Sequence, residues 1–115
     1  MPQQAVLQAF SQSYENGDVR AMMHLFASPT ILPVVERERI AADYRRVFEK
    51  SRARALRFTH LDWQSGGDTV TVTADYVADV QPKLWPATRR EQGAMQFQLI
   101  EEQGQTRIAR LALIR

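Results

Sequence analysis

Two side chains in the stretch ALRFTHLDWQ have the spacing of a simple acid–base pair. His60 and Asp62 are separated by one residue, so a strand would place both on the same face. A histidine beside a carboxylate can move protons near neutral pH. The alternative is a histidine with ordinary hydrogen bonds, because strand neighbours two apart are usually not a catalytic unit. The other histidine, His24, falls on the polar face of its predicted helix, and we expect it to be exposed.

Aromatic residues form the second group with chemical potential. Tyr14, Tyr44 and Tyr76 lie on the apolar faces of their predicted elements, and Trp63 has the parity to join them. A tyrosine combines an apolar ring with a polar tip, which suits a small apolar or partly polar ligand. The alternative is a plain core in which the hydroxyls bond to backbone. We predict a ligand pocket at these four residues and keep the core as the alternative.

Several other chemistries are excluded or disfavoured by composition. The chain has no cysteine, which excludes disulfides, thiolate catalysis and zinc–thiolate sites. Two histidines alone do not suggest a metal centre, and no phosphate-binding glycine loop or GxSxG motif occurs. We therefore predict no metal and no cofactor. The start, MPQQAVLQAF, is not a signal peptide, and no apolar run could span a bilayer, which favours a cytoplasmic protein without a membrane partner.

The charge pattern argues against nucleic acid as a partner. The net charge is +2, and basic residues alternate with acids in VERERIAADYRRVFEKSRARALR. Such a mixture is typical of a solvated helix face with Glu/Arg pairs. A nucleic-acid site would instead need a basic stripe. The residues that could make one are Arg45, Arg46, Lys50, Arg52, Arg54 and Arg57.

Helical periodicity governs the first half of the chain. It predicts helices over about 3–15, 19–27 and 36–52, with TILPVV as a short extended piece between the last two. Gly17 suits the end of the first helix, and Asp18 suits the N-cap of the second.

Alternation with period two governs the second half. It is clean in TVTVTADYVADV but slips in ALRFTHLDWQ, where a bulge near Thr59–His60 would restore the apolar face. These two strands form a hairpin around SGGD, and the last two strands form a second hairpin around EEQGQ. The order predicts one α+β domain, residues 1–115. Three helices would pack on a curved, mainly antiparallel sheet of four or slightly more strands.

The segments FSQSYENGDVRAMMHLFASPTIL and RERIAADYRRVF and the ending GQTRIARLALI resemble the nuclear transport factor 2-like superfamily, whose members are also described as SnoaL-like or cystatin-like cones. This resemblance covers nearly the whole chain and implies a cone-shaped fold around a pocket. Members typically have two short strands between the second and third helices. Here only TILPVV is available, so the resemblance implies a pocket with one abbreviated wall.

The steroid isomerases of that superfamily provide a test of one chemistry. Their reaction needs a carboxylate base and acidic hydrogen-bond donors in a dry pocket. Alignment on the NGD turn puts these roles at Phe10, near Pro33 and near Gln96, none of which is acidic. The resemblance therefore argues against isomerase activity.

By its alternation the last strand, RIARLALIR, is apolar on both faces, which an open sheet face should not be. We predict a homodimer on the outer sheet face around Ile108, Arg110, Ala112 and Ile114, and Asp75 or Asp79 would pair with the arginine. Because the chain stops on this strand, a C-terminal module of a longer protein is also compatible.

Together these patterns favour a non-catalytic module that binds a small molecule or docks a protein. The alternative is a SnoaL-like cyclase, dehydratase or isomerase that uses His60 and Asp62.

Overall fold

Helices precede strands along the chain, and the structure, a computed structural model, describes residues 2–114. The helices are α1 (Pro2–Asn16), α2 (Val19–Met23) and α3 (Val34–Lys50), and the strands are β1 (Ser51–Gly66), β2 (Thr69–Pro82), β3 (Arg89–Glu102) and β4 (Gln105–Leu113). The strands form one curved antiparallel sheet in the order β1-β2-β3-β4, which confirms the predicted α+β fold class. Within residues 2–114 no helix is long and apolar enough to cross a membrane.

The turn between α1 and α2 has the predicted start and stop signals. The N–H of Asp18 donates to the carbonyl of Ser13 at 3.0 Å and that of Gly17 to the carbonyl of Tyr14 at 3.1 Å, which closes the end of α1. Gly17 has a φ of +66°, a conformation that costs glycine little. The Asp18 carboxylate then accepts the Ala21 N–H at 3.0 Å and caps α2.

Gly17→Ala is expected to destabilise the protein more than Gly67→Ala. Both glycines have positive φ, so each substitution should cost about 1 kcal/mol of backbone strain. A Cβ at Gly17 would also lie 2.5 Å from Nη2 of Arg54, whereas a Cβ at Gly67 meets no atom within 4 Å. Arg54 would have to move from the Tyr14 carbonyl, to which its Nε donates at 2.9 Å. Urea denaturation of both variants measures the difference, and equal losses would contradict the contact with Arg54.

A β-bulge in β1 lies where the sequence predicted it. Phe58 pairs with Tyr76 and His60 pairs with Asp75, so Thr59 is the extra residue. The apolar residues on both sides of the bulge therefore share the inner face of the sheet, which is the face covered by the helices.

A second bulge, in β4, was not predicted and changes the assignment of its faces. Gln98 pairs with Arg110, but the next pair joins Leu99 to Ile108, so Ala109 is extra. Ile108 consequently points inward, is 0% exposed and belongs to the hydrophobic core. This strand is therefore not apolar on both faces in the way the alternation suggested, and Ile108 cannot contribute to an interface on the outer face.

The second helix is shorter than the predicted 19–27. The N–H of Ala27 donates to the Ile108 carbonyl, and the N–H of Ile108 donates to the Leu25 carbonyl, both at 2.8 Å. Phe26 thus forms a parallel bridge to β4. Pairing with a distant strand satisfies backbone groups that a longer helix would have bonded locally.

The extended piece predicted at TILPVV is absent. The N–H groups of Ile31 and Leu32 donate to the Ser28 carbonyl at 2.9 Å, which makes a turn. Pro33 then caps α3, whose first residue is Val34. Proline at this point is compatible with a helix start because its missing N–H would have had no helical partner.

A polar network ties this segment to the β3–β4 hairpin. The Glu102 carboxylate accepts the Ser28 hydroxyl at 2.5 Å and its N–H at 3.1 Å. The Ser28 hydroxyl is the main reason that the pKa of Glu102 lies below its usual value. Arg107 donates to the His24 carbonyl at 2.7 Å. The side chain of His24 is exposed, as predicted.

Candidate functional site

A cleft lies between α3 and the inner face of the sheet, and it is part of an open cavity of about 1420 Å³ whose lining continues round the β4 edge to outer-face residues such as Gln98 and Arg110. Small-molecule pockets typically measure roughly 300–1,000 Å³. This cleft is larger because it is open on one side, where residues 109–113 of β4 line it. Both ends of the β2–β3 loop, Pro82 and Arg89, also line the cleft, so the loop stands at its mouth.

Three tyrosines from three different elements meet in this cleft. Tyr14 comes from α1, Tyr44 from α3 and Tyr76 from β2, and all of them line it. The rings of Tyr14 and Tyr44 are 6.2 Å apart and nearly perpendicular. Tyr44 also packs edge-on against Phe10, with a centroid distance of 5.8 Å. The aromatic cluster fixes the rings by packing, so their hydroxyls are held in place.

The hydroxyls of these tyrosines have no protein partner among residues 2–114. No fully buried polar side-chain atom in that range lacks a hydrogen bond. The three oxygens must therefore be accessible from the cleft, where they can donate and accept hydrogen bonds. The hydroxyls do not bond to backbone as the core alternative expected, while the rings of Tyr14 and Tyr76 belong to the hydrophobic core.

Glu91 is a cleft residue that the sequence reasoning missed. It lines the cleft from β3, opposite Ala78, and is exposed. Alternation along β3 could have identified it, because Glu91 has the same parity as the buried Met95 and Phe97. The charge of its carboxylate acts on Tyr14 and Tyr76.

The tyrosines remain protonated well above neutral pH. Burial, followed by the negative charge of Glu91, raises the pKa of Tyr14 and that of Tyr76. Burial raises the pKa of Tyr44 further, and the neighbouring tyrosines add to the effect. At neutral pH all three hydroxyls are therefore available as hydrogen-bond donors to a ligand.

The structure places the other predicted site residues outside the cleft. Trp63 is half-buried on the inner face and packs against the core, but it does not line the cleft. His60 and Asp62 share one face of β1 as predicted, yet both are exposed on the outer face opposite Asp75 and Thr73. The bulge at Thr59 is the reason, since it reverses the parity of every residue that follows.

The positions that the resemblance associates with isomerase chemistry have other roles here. Phe10 is fully buried in the core, and Pro33 caps α3. Gln96 lies on the outer face, where its amide donates to the Thr73 hydroxyl at 3.4 Å.

The residues predicted for a dimer interface are divided between the two faces. Ile108 is in the core, whereas Arg110 and Ile114 are exposed and Ala112 is half-buried on the outer face. Asp79, one suggested partner for the arginine, already pairs with Arg90 at 2.7 Å.

Two of the basic residues of α3 and β1, Arg46 and Arg54, have partners within the protein. Arg54 points inward, where it lies 5.1 Å from the ring centroid of Phe48 and donates to the Ser51 hydroxyl at 2.7 Å. Arg46 pairs with Asp43 at 3.6 Å. Within residues 2–114, no group of three or more histidines or carboxylates is arranged to hold a metal ion.

The β2–β3 loop carries two exposed large apolar residues near the cleft. Leu84 is 96% exposed and Trp85 is 64% exposed, between the two loop ends that line the mouth. Trp85 is therefore a natural fluorescence reporter for ligands that enter the cleft.

Comparison with known proteins identifies the fold. No protein-family model matches the sequence, and no curated protein matches it. Solved structures do match over nearly the whole chain. A candidate dehydratase of the NTF2-like family from Streptomyces avermitilis has a TM-score of 0.83 at 13% identity, covering 97% of this chain and 92% of its own.

Two proteins from Novosphingobium aromaticivorans are similar to the same extent. A candidate scytalone dehydratase has a TM-score of 0.84 at 11% identity, with 97% of this chain and 80% of its own covered. A candidate aromatic ring hydroxylase has a TM-score of 0.83 at 16% identity, with 97% and 85% covered. Identities this low establish a shared fold and leave the activity open.

Proposed function

We propose that this chain, which has the nuclear transport factor 2-like fold, is a binding module for a small, mostly apolar ligand that carries oxygen atoms. The observation that supports this proposal is the set of three tyrosine hydroxyls that open into the cleft without a protein partner. Aromatic walls favour an apolar body, and the hydroxyls favour acceptor groups on it. A cytoplasmic location and the absence of a cofactor are parts of the same proposal.

A screen of small oxygenated aromatic and alicyclic compounds by thermal shift would identify a ligand, and titration calorimetry would measure its Kd. A ligand that binds only the folded state stabilises it by RT ln(1 + [L]/Kd), so the Tm should rise with ligand concentration. The change in tryptophan fluorescence with ligand concentration, measured in a W63F variant so that Trp85 is the only tryptophan, should give the same Kd, because Trp85 is close to the mouth. Failure of every compound to bind would count against the proposal.

Tyrosine-to-phenylalanine variants are expected to weaken ligand binding without weakening the fold. Each of Y14F, Y44F and Y76F removes a hydroxyl that bonds to no group among residues 2–114, so the free energy of unfolding should not fall. A lost hydrogen bond to the ligand should cost about 1 kcal/mol, or roughly fivefold in Kd. D62N, on the outer face, is the matched control and should bind like the unchanged protein. Destabilised variants with unchanged Kd would mean that the hydroxyls are structural.

A second candidate function is a dehydratase-like enzyme, because Glu91 places a carboxylate beside protonated tyrosines. The Glu91 carboxylate would take a proton from the carbon next to the carbonyl of a β-hydroxy ketone, while a tyrosine hydroxyl donates a hydrogen bond to that carbonyl. The protonated Glu91 would then give this proton to the β-hydroxyl group, which leaves as water. E91Q distinguishes the two functions. If the protein is a dehydratase, the unchanged protein should convert a β-hydroxy ketone and E91Q should not. If it is only a binding module, neither protein should convert this substrate. H60Q tests the pair predicted from sequence and should have no effect on turnover.

A further inference from the structure

Two cations join the three tyrosines in the lining of the cleft, and they lie at one end of it. Lys50 is the last residue of α3, and its carbonyl accepts the N–H of Lys83, directly after β2, at 2.9 Å. Arg89 is the first residue of β3 and pairs with Val80, near the same end of β2. The regular pairing of β2 with β3 gives Arg89 the parity of Glu91, so both side chains are on the inner face.

The charges of these two cations are not neutralised by an acid among residues 2–114. Arg39 and Arg46, which also line the cleft, each pair with the acid three residues earlier on α3, at 2.6 and 3.6 Å. The remaining ion pair in the described part of the chain lies on the outer face and does not involve Lys50 or Arg89. Both cations can therefore bind an anion that enters the cleft.

The polar groups at this end of the cleft are mainly hydrogen-bond donors. An ammonium and a guanidinium can only donate, and the tyrosine hydroxyls stay protonated at neutral pH. A carboxylate has the complementary character, because it only accepts hydrogen bonds and carries the opposite charge. The donors therefore favour a carboxylate over a neutral polar group.

Glu91 determines the end at which this carboxylate is stable. Burial, followed by the charge of Glu91, raises the pKa of Tyr14 and that of Tyr76, so this acid acts on the tyrosine side of the rim. A second anion beside the tyrosines would be repelled by Glu91. Arg89 lies two residues farther toward the end of the cleft, where Lys50 adds a second positive charge.

We propose that the ligand is a monocarboxylic acid with an aromatic or alicyclic body, whose carboxylate lies between Lys50 and Arg89 while the body contacts the tyrosines. This inference rests on the proposed binding function and adds the class of ligand. Val80, the partner of Arg89, is four residues beyond Tyr76 on β2, which is roughly 13 Å along the strand. The long cationic side chains shorten this gap, so a ring with a short acyl chain matches it and a carboxylate directly on the ring does not.

Titration calorimetry with matched pairs of compounds tests the class of ligand. The probes are para-methoxyphenylbutanoate and para-methoxybenzoate, each compared with its primary amide, which keeps the shape and loses the charge. The butanoate should bind about tenfold more tightly than its amide at neutral pH. The preference should be smaller for the benzoate, and it should decrease as salt is added because the cations are exposed.

Substitution of each cation tests its assignment. K50Q and R89Q should each weaken binding of the butanoate about fivefold and change the Kd of the amide by less than about twofold. R52Q is the matched control, since Arg52 is exposed near the same end of the sheet but does not line the cleft. It removes the same net charge and should leave both Kd values unchanged. Circular dichroism checks that every variant is folded.

The outcomes separate this inference from the proposed function. Equal affinity for acid and amide, an acid preference that survives in both K50Q and R89Q, or an equal loss in R52Q would each overturn the carboxylate site. Binding of the amides in those cases would leave the proposed binding function standing. If neither the acids nor the amides bind, this inference is wrong and the proposed function fails with it.

Discussion

Ile108→Asp is expected to prevent folding, whereas Ile114→Asp is expected to leave the protein folded. Ile108 is 0% exposed in the core, so the substitution would bury a carboxylate without a partner. That costs about 3–5 kcal/mol, in addition to the lost apolar burial. A small domain has roughly 5–15 kcal/mol of stability in total, so the loss should be close to complete.

The matched residue, Ile114, lies on the outer face and is 47% exposed. A charge there should change the free energy of unfolding by less than about 1 kcal/mol. Soluble yield and urea denaturation compare the two variants. Equal tolerance of both aspartates would mean that β4 has no bulge at Ala109 and that Ile108 faces outward.

Phe97→Ala is expected to cost about 3–5 kcal/mol of stability. Phe97 is fully buried where α1 meets the sheet. Its ring packs edge-on against Phe10 at 5.3 Å and Phe58 at 6.0 Å, so truncation leaves a cavity and removes both aromatic contacts.

Trp85→Ala is the control for this measurement, because Trp85 is an aromatic residue that is 64% exposed in the β2–β3 loop. It should change the free energy of unfolding by no more than about 0.5 kcal/mol. Urea denaturation with circular dichroism avoids dependence on tryptophan fluorescence. A loss below about 1 kcal/mol for F97A would contradict the central position of Phe97 in the core.

What each polar residue can do depends on the side of the sheet that it occupies. His60 and Asp62 have the more familiar catalytic residue types, but they face outward and away from the cleft. Glu91 and the three tyrosines have less distinctive spacing, yet they line the same cleft. Chemistry at this fold is therefore to be sought on the inner face, and E91Q is the variant that tests it.

Local signals in the sequence determined the helix–turn–helix start and the bulge in β1. Gly17 and Asp18 act through their own φ and their own side chain, so no distant residue is needed to predict them. The bulge in β1 could be predicted because the apolar residues occupy even positions up to Phe58 and odd positions from Leu61 onward, with polar residues between them. These features, with the change from helical to alternating period, were enough to predict the α+β class.

Tertiary structure alone decided the end of α2, the bulge in β4 and the composition of the cleft. The second helix ends at Met23 because Leu25 and Ala27, which follow it, bond to Ile108, far away in sequence. The bulge at Ala109 was not visible because apolar residues occupy both parities of β4, so a slip changes nothing in the pattern. Whether a tyrosine hydroxyl bonds to backbone or opens into the cleft depends on how α1, α3 and β2 pack together. The hydrophobic periodicity of a single element cannot predict this.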